Sequence, residues 1–404
     1  MNYLTFIMVI ALGFGLLDCV AAPYPKLQRD LYHLELVVMI FLFVIRYYYG
    51  PDINSYVPHY ESLGNPTWVL GHLDEVQFES GYNILCSVIK WLGGSYWVLT
   101  AVITLLYFSA IVVLFQGLTR YRALGLSVLI LLDYSLIAVQ NRQALAVVCF
   151  IYMVLLMQHR KYLWAIVLAV CCALMHKTGI AVVAVIWTYW FFKDIAFRPY
   201  VYEVLAVILL ILMVIPVSNI SQMVVDALPL SESLTKSIEH HLSLGRQIQL
   251  VAIIYLLLLV TVSYFMRYVH HTRRNMILFT MFIGVIVLVV FYQYYFLLNR
   301  IRSYFLPIII SWLIDVVIEA RQTRRVPYSQ LVVQTLMVVV FLYLGHNIYT
   351  FQRETTRLHA PIYKTSTIFD LTKHSSSEIK ERQLRIANRY WELDYMRDDT
   401  NKLK

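Results

Sequence analysis

Residues 136–148 read LIAVQNRQALAVV, in which two apolar runs are separated by Gln140, Asn141, Arg142 and Gln143. Apolar runs of this kind recur along the whole chain of 404 residues, which is 60% hydrophobic and only 14% charged. A soluble globular chain carries about 25% charged residues. The sequence therefore predicts an all-α polytopic membrane protein, with mean hydropathy +0.66.

Segments apolar enough to form membrane helices number about twelve. They lie near 2–21, 31–49, 96–117, 123–139, 143–158, 162–175, 178–192, 200–217, 247–266, 275–297, 303–318 and 329–350. The first lacks a basic flank, so we expect a retained helix and not a signal peptide. The pair 162–175 and 178–192 is alternatively one long tilted helix. Residues 1–350 thus form a transmembrane body, and residues 351–404 form a charged tail whose side of the membrane the sequence leaves open.

The loops between these segments alternate in charge. One set is short and basic, and by the positive-inside rule it faces the cytoplasm. The loop 50–80 carries several acidic residues but no Lys or Arg, so we expect it, and a second loop at 218–246, on the outer side. Residues 80–94, SGYNILCSVIKWLGG, are too short to span and predict an interfacial or re-entrant helix that ends at Gly93.

Several cations remain on the outer side, where the positive-inside rule disfavours them: Arg46, Arg142, His176, Lys177, Arg300 and Arg302. Such side chains either reach lipid headgroups and helix carbonyls, or converge on an anionic substrate in a cavity. The amides of Asn141 and Gln143 beside Arg142 favour the second interpretation, because the guanidinium fork suits phosphate oxygens. We therefore predict a lipid-linked pyrophosphate as the ligand.

Other classes of site find no support in the sequence. It contains no glycine-rich phosphate loop and no dinucleotide fingerprint. The five cysteines are odd in number and lie in or beside apolar runs, so neither a disulfide framework nor a zinc site is indicated. The net charge of +9 reports membrane topology and not nucleic-acid binding. No metal and no cofactor are predicted.

Four motifs in chain order resemble those of the EpsG-like branch of Wzy-type polysaccharide polymerases. Residues 46–56, RYYYGPDINSY, resemble R-x-x-x-G-x-D-x-x-x-Y, and residues 79–94, ESGYNILCSVIKWLGG, resemble E-[PS]-G-[YF]-x-x-L…LGG. Residues 141–143, NRQ, resemble N-x-[IR]-R-Q-x-[LI]-A loosely, because Asn141 directly precedes Arg142. Residues 175–180, MHKTGI, resemble [FM]-H-x-[ST]-[AG]-[IL]. The resemblance covers about residues 40–190, and beyond them only NRIRSY at 299–304 invites comparison.

This resemblance implies a GT-C-like membrane glycosyltransferase with an outer-face cavity, in the bacterial inner (plasma) membrane. It would polymerise oligosaccharide repeat units carried on undecaprenyl pyrophosphate, for O-antigen of lipopolysaccharide, capsule or exopolysaccharide, by en bloc transfer of the growing chain on the periplasmic face. The resemblance implies no cofactor, and a chain-length regulator protein is an expected partner. A lipid-linked oligosaccharide flippase or transporter and an O-antigen ligase are the alternatives.

Within that chemistry the residues take distinct expected roles. The leaving pyrophosphate is bound by the outer cations, Arg142 first, then Arg300, Arg302, Arg46 and Lys177. His176 leads as the catalytic base, because its pKa can lie near working pH, followed by Asp52 and Glu79. Sugar rings contact Asn141, Gln143, Tyr56 and Tyr82. Structural alternatives remain open: an interhelical hydrogen bond for His176, a turn cap or an Arg46 pair for Asp52, and a helix N-terminal anion for Glu79.

Overall fold

A computed structural model describes residues 3–180, 295–323 and 366–402, together with isolated positions between 182 and 287. The chain divides into two compact units. The first contains residues 1–153, 163–180 and 344–404, and the second contains 154–162 and 181–343. The helices predicted at 200–217, 247–266 and 329–350, and the loop at 218–246, lie outside the described residues.

Long helices form most of the first unit: α1 (Tyr3–Val20), α2 (Pro25–Val44), α6 (Tyr96–Leu118), α7 (Arg122–Ala138), α8 (Asn141–Gln158) and α9 (Tyr162–Met175). Residues 154–158 of α8 and Tyr162 of α9 belong to the second unit. Of the described helices, Tyr96–Leu118 and Asn141–Gln158 are long and apolar enough to cross a membrane, and Thr5–Val20 and Tyr162–Met175 are shorter apolar helices. The predicted helical fold is confirmed. The total of about twelve membrane helices and the outer-face cavity stay predictions.

Polar contacts join α1, α2 and α7 at one end of the unit, here named the basic end and formed by residues 21–29 and 119–124. The Leu124 amide donates to Asp18 Oδ2 at 3.0 Å, so Asp18 satisfies one of the unpaired N–H groups at the start of α7. Gln28 Nε2 donates to Asp18 Oδ1 at 2.9 Å. Arg120 donates to the Ala22 carbonyl at 2.8 Å, which ties the two loops together.

The opposite end, named the motif end, is formed by residues 45–95, 139–143 and 176–180. Between α2 and α6 the chain forms the strand β1 (Arg46–Tyr47) and the short helices α3 (Ile53–Ser62), α4 (Pro66–Gly71) and α5 (Ser80–Trp91). Asn65 caps α4 by accepting from the Trp68 amide at 2.8 Å. The helix expected within 80–94 is thus present, and it is followed by Gly93 at φ +83°. Its position relative to lipid stays a prediction.

The break between α7 and α8 falls at the polar residues 140–143, as the sequence predicts. Helix α7 is kinked at Asp133, whose φ of −138° and ψ of 33° are not helical. Val139 follows α7, and α8 begins at Asn141. A Cβ atom on Gly50, at φ +97°, would lie 2.9 Å from Val139 Cγ2. Glycine therefore lets the turn after β1 pack directly against this break.

Helix α9 ends at Met175, and a single 3-10 turn, Lys177–Gly179, follows it. The alternative of one uninterrupted helix from 162 to 192 is therefore wrong. A Cβ atom on Gly179 would approach the Cys172 carbonyl oxygen to 2.6 Å, so the chain folds back on α9 more closely than a larger residue permits.

The remaining described elements are α10 (Tyr295–Thr323) in the second unit, and three C-terminal elements in the first. The strand β2 (Ser366–Thr367) pairs antiparallel with β1, a 3-10 turn covers Ile368–Thr372, and α11 covers Ser376–Lys402. The charged tail therefore packs against the motif end of the first unit.

Candidate functional site

Arg142 lies at the centre of the motif end, in the first turn of α8. Its Nη1 donates to Glu79 Oε2 at 2.5 Å, and its Nε donates to the Tyr56 hydroxyl at 3.3 Å. Glu79 precedes α5 and Tyr56 lies on α3, so one guanidinium joins three separate elements. The contacts of Arg142 thus connect three of the four motifs singled out in the sequence.

Aromatic rings surround the same guanidinium. Its Cζ atom lies 4.1 Å from the ring centroid of Phe78 and 5.6 Å from that of Tyr56. The Tyr56 ring in turn packs against Phe78, with 5.3 Å between centroids, and against Tyr82, with 5.9 Å. A cation held on aromatic faces gains cation–π energy and loses freedom of orientation. Sequence reasoning missed Phe78, although it directly precedes the Glu79 motif.

Both carboxylate oxygens of Glu79 are engaged. While Oε2 holds Arg142, Oε1 accepts from the Lys177 amide at 3.1 Å. The side chains of Arg142 and Glu79 are 19% and 9% exposed. Burial alone would raise the pKa of Glu79, but the Arg142 charge and these hydrogen bonds bring it below its ordinary value. Glu79 is therefore an ionised brace between α8 and the turn after α9.

A close helix contact supports that brace. A Cβ atom on Gly81, in the first turn of α5, would lie 3.0 Å from both the Cβ atom and the carbonyl oxygen of Leu174. Leu174 is two residues before His176, so the glycine allows α5 to approach the end of α9. This approach brings Glu79 within reach of the Lys177 amide.

His176 is buried at the start of the 3-10 turn. Its Nδ1 accepts from the Thr178 amide at 3.2 Å and lies 2.6 Å from Thr178 Oγ1. A neutral imidazole that accepts at Nδ1 carries its proton on Nε2. This assignment favours His176 as a hydrogen-bond donor through Nε2, and its expected role as a base stays a prediction.

A second histidine, His59 on α3, lies next to the aromatic rings. Its Nε2 is 2.7 Å from Asn83 Oδ1, and Asn83 Nδ2 donates to the Phe78 carbonyl at 2.6 Å. The imidazole packs edge-on against Phe78, with 4.4 Å between centroids. Burial is the main cause that lowers the pKa of His59, and the nearby charge of Arg142 adds to it. His59 is therefore held neutral beside the cationic site.

Buried polar residues line the motif end near α6. Asn141 Nδ2 donates to the Tyr96 hydroxyl at 3.0 Å, and Gln143 is buried in the same first turn of α8. Arg46 is 4% exposed. Its Nη2 lies 3.5 Å from Thr104 Oγ1, and its Nη1 is buried with no hydrogen-bond partner in the described part of the chain.

The structure thus brings most of the predicted site residues to one end of the first unit. Tyr56, Glu79, Arg142 and Lys177 are in direct contact, and the others at this end are Arg46, Asp52, Tyr82, Asn141, Gln143 and His176. Asp52 is half-buried at the N-cap position of α3 and makes no side-chain capping bond there. Arg300 and Arg302 lie on α10 in the second unit, so their action together with Arg142 stays a prediction. No group of His, Cys, Asp and Glu suited to a metal ion occurs among the described residues.

Comparison with known proteins gives a family. The model of the EpsG family matches residues 31–355, which is most of the chain. No curated protein and no solved structure matches the chain significantly. The chain therefore belongs to the EpsG family, a Wzy-like polysaccharide polymerase family, and is a membrane protein of polysaccharide biosynthesis.

Proposed function

From this family membership and the geometry of the motif end, we propose that the protein is a membrane glycosyltransferase that polymerises lipid-linked oligosaccharide repeat units. The carrier is undecaprenyl pyrophosphate, and the reaction takes place on the periplasmic face of the bacterial inner membrane. The observation that most supports the proposal is Arg142, fixed by Glu79 and Phe78 at the end where the four motifs meet.

The reaction moves the growing chain as one block onto the newest repeat unit. The bond between the anomeric carbon of the chain and the pyrophosphate oxygen breaks, and undecaprenyl pyrophosphate leaves with the electron pair. A hydroxyl oxygen of the acceptor sugar bonds to the anomeric carbon, and its proton passes to a base. The sugar linked to pyrophosphate is already an activated donor, because pyrophosphate is a good leaving group, so no nucleotide sugar takes part.

Arg142 suits the charge that grows on the leaving pyrophosphate. A guanidinium has five N–H donors, and the bonds to Glu79 and Tyr56 use two of them. Within the described residues the other three N–H groups make no hydrogen bond to the protein, and we assign them to phosphate oxygens. Because the ion pair and the aromatic faces fix the fork before substrate arrives, little reorganisation is needed in the transition state.

The positive charge of the site depends on more than Arg142, since Glu79 compensates that charge. Lys177 is exposed directly beside Glu79. Arg46 is a buried cation with an unpaired Nη1 among the described residues, a costly arrangement that an anionic substrate would relieve. We assign both to the pyrophosphate, with Arg300 and Arg302 of the second unit as further candidates.

The acceptor hydroxyl needs a proton acceptor. Both oxygens of Glu79 already accept hydrogen bonds, and Nδ1 of His176 accepts from Thr178. We therefore rank Glu79 last of the three candidates for the base, with His176 first and Asp52, half-buried at the start of α3, second. Asn141, Gln143, Tyr56 and Tyr82 are assigned to hold the sugar and the groups around it.

Deletion of the gene, followed by gel analysis of surface polysaccharide, tests this function. We expect single repeat units in place of long chains, and restoration by the wild-type gene but not by Arg142→Ala. Arg29→Ala is the matched control, because Arg29 is an exposed cation at the basic end. Surface material with no repeat unit would instead indicate a ligase, and repeat units trapped on the cytoplasmic face a flippase.

A further inference from the structure

The C-terminal segment 366–389 is bonded to the strand that carries Arg46. In the β1–β2 pair, Arg46 is opposite Thr367 and Tyr47 is opposite Ser366. The Ile368 amide extends the pairing by donating to the Ile45 carbonyl at 2.9 Å. The strand that pairs with β1 therefore comes from a segment about 320 residues away in the sequence.

Side chains add two further attachments. The Tyr47 hydroxyl lies 2.6 Å from Ser376 Oγ at the start of α11. Lys380 on α11 forms an ion pair with Glu61 on α3. The segment is thus attached both to β1 and to the helix that follows β1, and these are the two elements that flank the turn 48–52.

The segment is also braced within itself. Ser366 Oγ accepts from Arg382 Nη2 at 2.6 Å and from Gln383 Nε2 at 2.8 Å. Thr367 and Asp370 form a reciprocal capping box at the 3-10 turn. Ile379, Gln383 and Ala387 are buried and are spaced four residues apart, so they form one face of α11. Strand and helix therefore act as one rigid piece.

The part of the chain that this piece holds is strained. Tyr48 has φ 46°, a left-handed conformation that a bulky residue rarely adopts, and Gly50 follows at φ +97°. Such a conformation persists only where neighbouring structure enforces it. The attachments on both sides of the turn supply that enforcement, and the turn determines where Arg46 and Asp52 lie.

We infer that residues 366–389 are a positioning element of the site: they lie on the same side of the membrane as loop 50–80 and hold β1, and with it Arg46, in place. The shared side follows from the contacts alone. The effect on catalysis rests on the proposed function, so the two parts are tested separately.

Thiol labelling tests the side of the membrane. In a Cys19→Ser background, single cysteines are placed at the exposed positions Asp74, Arg385 and Arg29, and intact cells are treated with a membrane-impermeant maleimide. We expect Arg385→Cys to label as Asp74→Cys does, and unlike Arg29→Cys at the basic end. Labelling of Arg385→Cys in step with Arg29→Cys would overturn the inference. Whether Asp74→Cys itself labels before permeabilisation tests the orientation in the proposed function.

A backbone substitution tests the positioning role. Ile368→Pro removes the N–H that donates to the Ile45 carbonyl. Proline should fit here, because the position is the first of a 3-10 turn and the preceding Thr367 is extended. Ile368→Ala removes the side chain and keeps the N–H. We expect Ile368→Pro to lower the polymerisation rate about tenfold at low substrate, through a higher apparent KM, with Ile368→Ala near wild type and both proteins inserted equally.

The outcomes separate cleanly. Equal activity of Ile368→Pro and Ile368→Ala would refute the positioning role, and so would a loss explained entirely by a lower amount of inserted protein. If wild-type protein forms no polymer, the proposed function fails, while the labelling result still decides where the C-terminal segment lies.

Discussion

Glu79→Gln is the substitution that most sharply tests how the site is built. It removes one negative charge while keeping the length of the side chain. The carbonyl of the new amide side chain can still accept from the Lys177 amide, but the Arg142 guanidinium then faces an uncharged group. The loss therefore falls on the contact that orients Arg142.

The magnitude follows from the burial of that contact. The pair is 2.5 Å long between side chains that are 19% and 9% exposed, so it is neither a surface pair nor fully buried. A hydrogen bond to a charged group contributes about 1.5–3 kcal/mol. A loss of about 2 kcal/mol lowers the population of the oriented guanidinium roughly 30-fold, since about 1.4 kcal/mol corresponds to a factor of ten. We expect kcat/KM to fall by a similar factor.

The assay uses purified protein in liposomes with a lipid-linked repeat unit, and polymer is measured on gels. Glu75→Gln is the matched control, because Glu75 is an exposed residue of the same loop. It should leave the rate near the wild-type value, within about twofold.

A double-mutant cycle gives the refuting result. If Glu79 acts by orienting Arg142, the combination of Glu79→Gln with Arg142→Ala should be little worse than Arg142→Ala alone. Losses that multiply, or a Glu79→Gln rate equal to that of Glu75→Gln, would show that Glu79 does not act by orienting Arg142.

Three further predictions follow from the packing and the charges. Gly81→Ala should destabilise the protein by about 1–3 kcal/mol, because the new Cβ meets Leu174 at 3.0 Å. Gly71→Ala is the control, because a Cβ atom there meets no atom within 4 Å, and thermal unfolding in detergent measures both variants. Burial lowers the pKa of His59 in the folded protein, so near the ordinary histidine pKa of about 6.5 the unfolded chain binds more protons than the folded chain. The free energy of unfolding should therefore fall as the pH drops through that value. The fall in unfolding temperature from about pH 7.5 to about pH 5.5 should be smaller in His59→Gln, and an equal fall would contradict this assignment. Arg142→Lys keeps the positive charge but loses the Nε bond to Tyr56 and the planar contact with Phe78, so the polymerisation rate should fall about tenfold. A rate equal to that of the wild-type protein would show that the charge alone is sufficient.

The break between α7 and α8 could be predicted, because polar residues between two apolar runs interrupt the hydrophobic pattern. The kink at Asp133 could not, since it lies inside an apolar run and depends on tertiary packing. Loop charge predicts that Glu79, Arg142 and the His176 turn lie on the same side of the membrane, because alternation of loops brings every second loop to the same end. It does not predict their direct contact, which depends on how the helices pack.

Other features leave little signal in a sequence. Phe78 resembles an ordinary core residue until the guanidinium is found 4.1 Å from its ring. Strands of two residues such as β1 and β2 are too short to show an alternating hydrophobic pattern. Their pairing across about 320 residues could therefore not be predicted from the sequence. The tautomer of His176 depends on the turn that places the Thr178 amide against Nδ1.

Reconstitution shows whether the protein alone polymerises the lipid-linked repeat unit. Purified protein in liposomes receives only the undecaprenyl-pyrophosphate-linked repeat unit, with no nucleotide sugar, and the products are resolved by length. We expect a ladder of longer chains and release of undecaprenyl pyrophosphate with the wild-type protein, and a strongly reduced but measurable yield of both products with Arg142→Ala. Unchanged single repeat units with the wild-type protein, or an equal ladder with Arg142→Ala, would contradict this expectation.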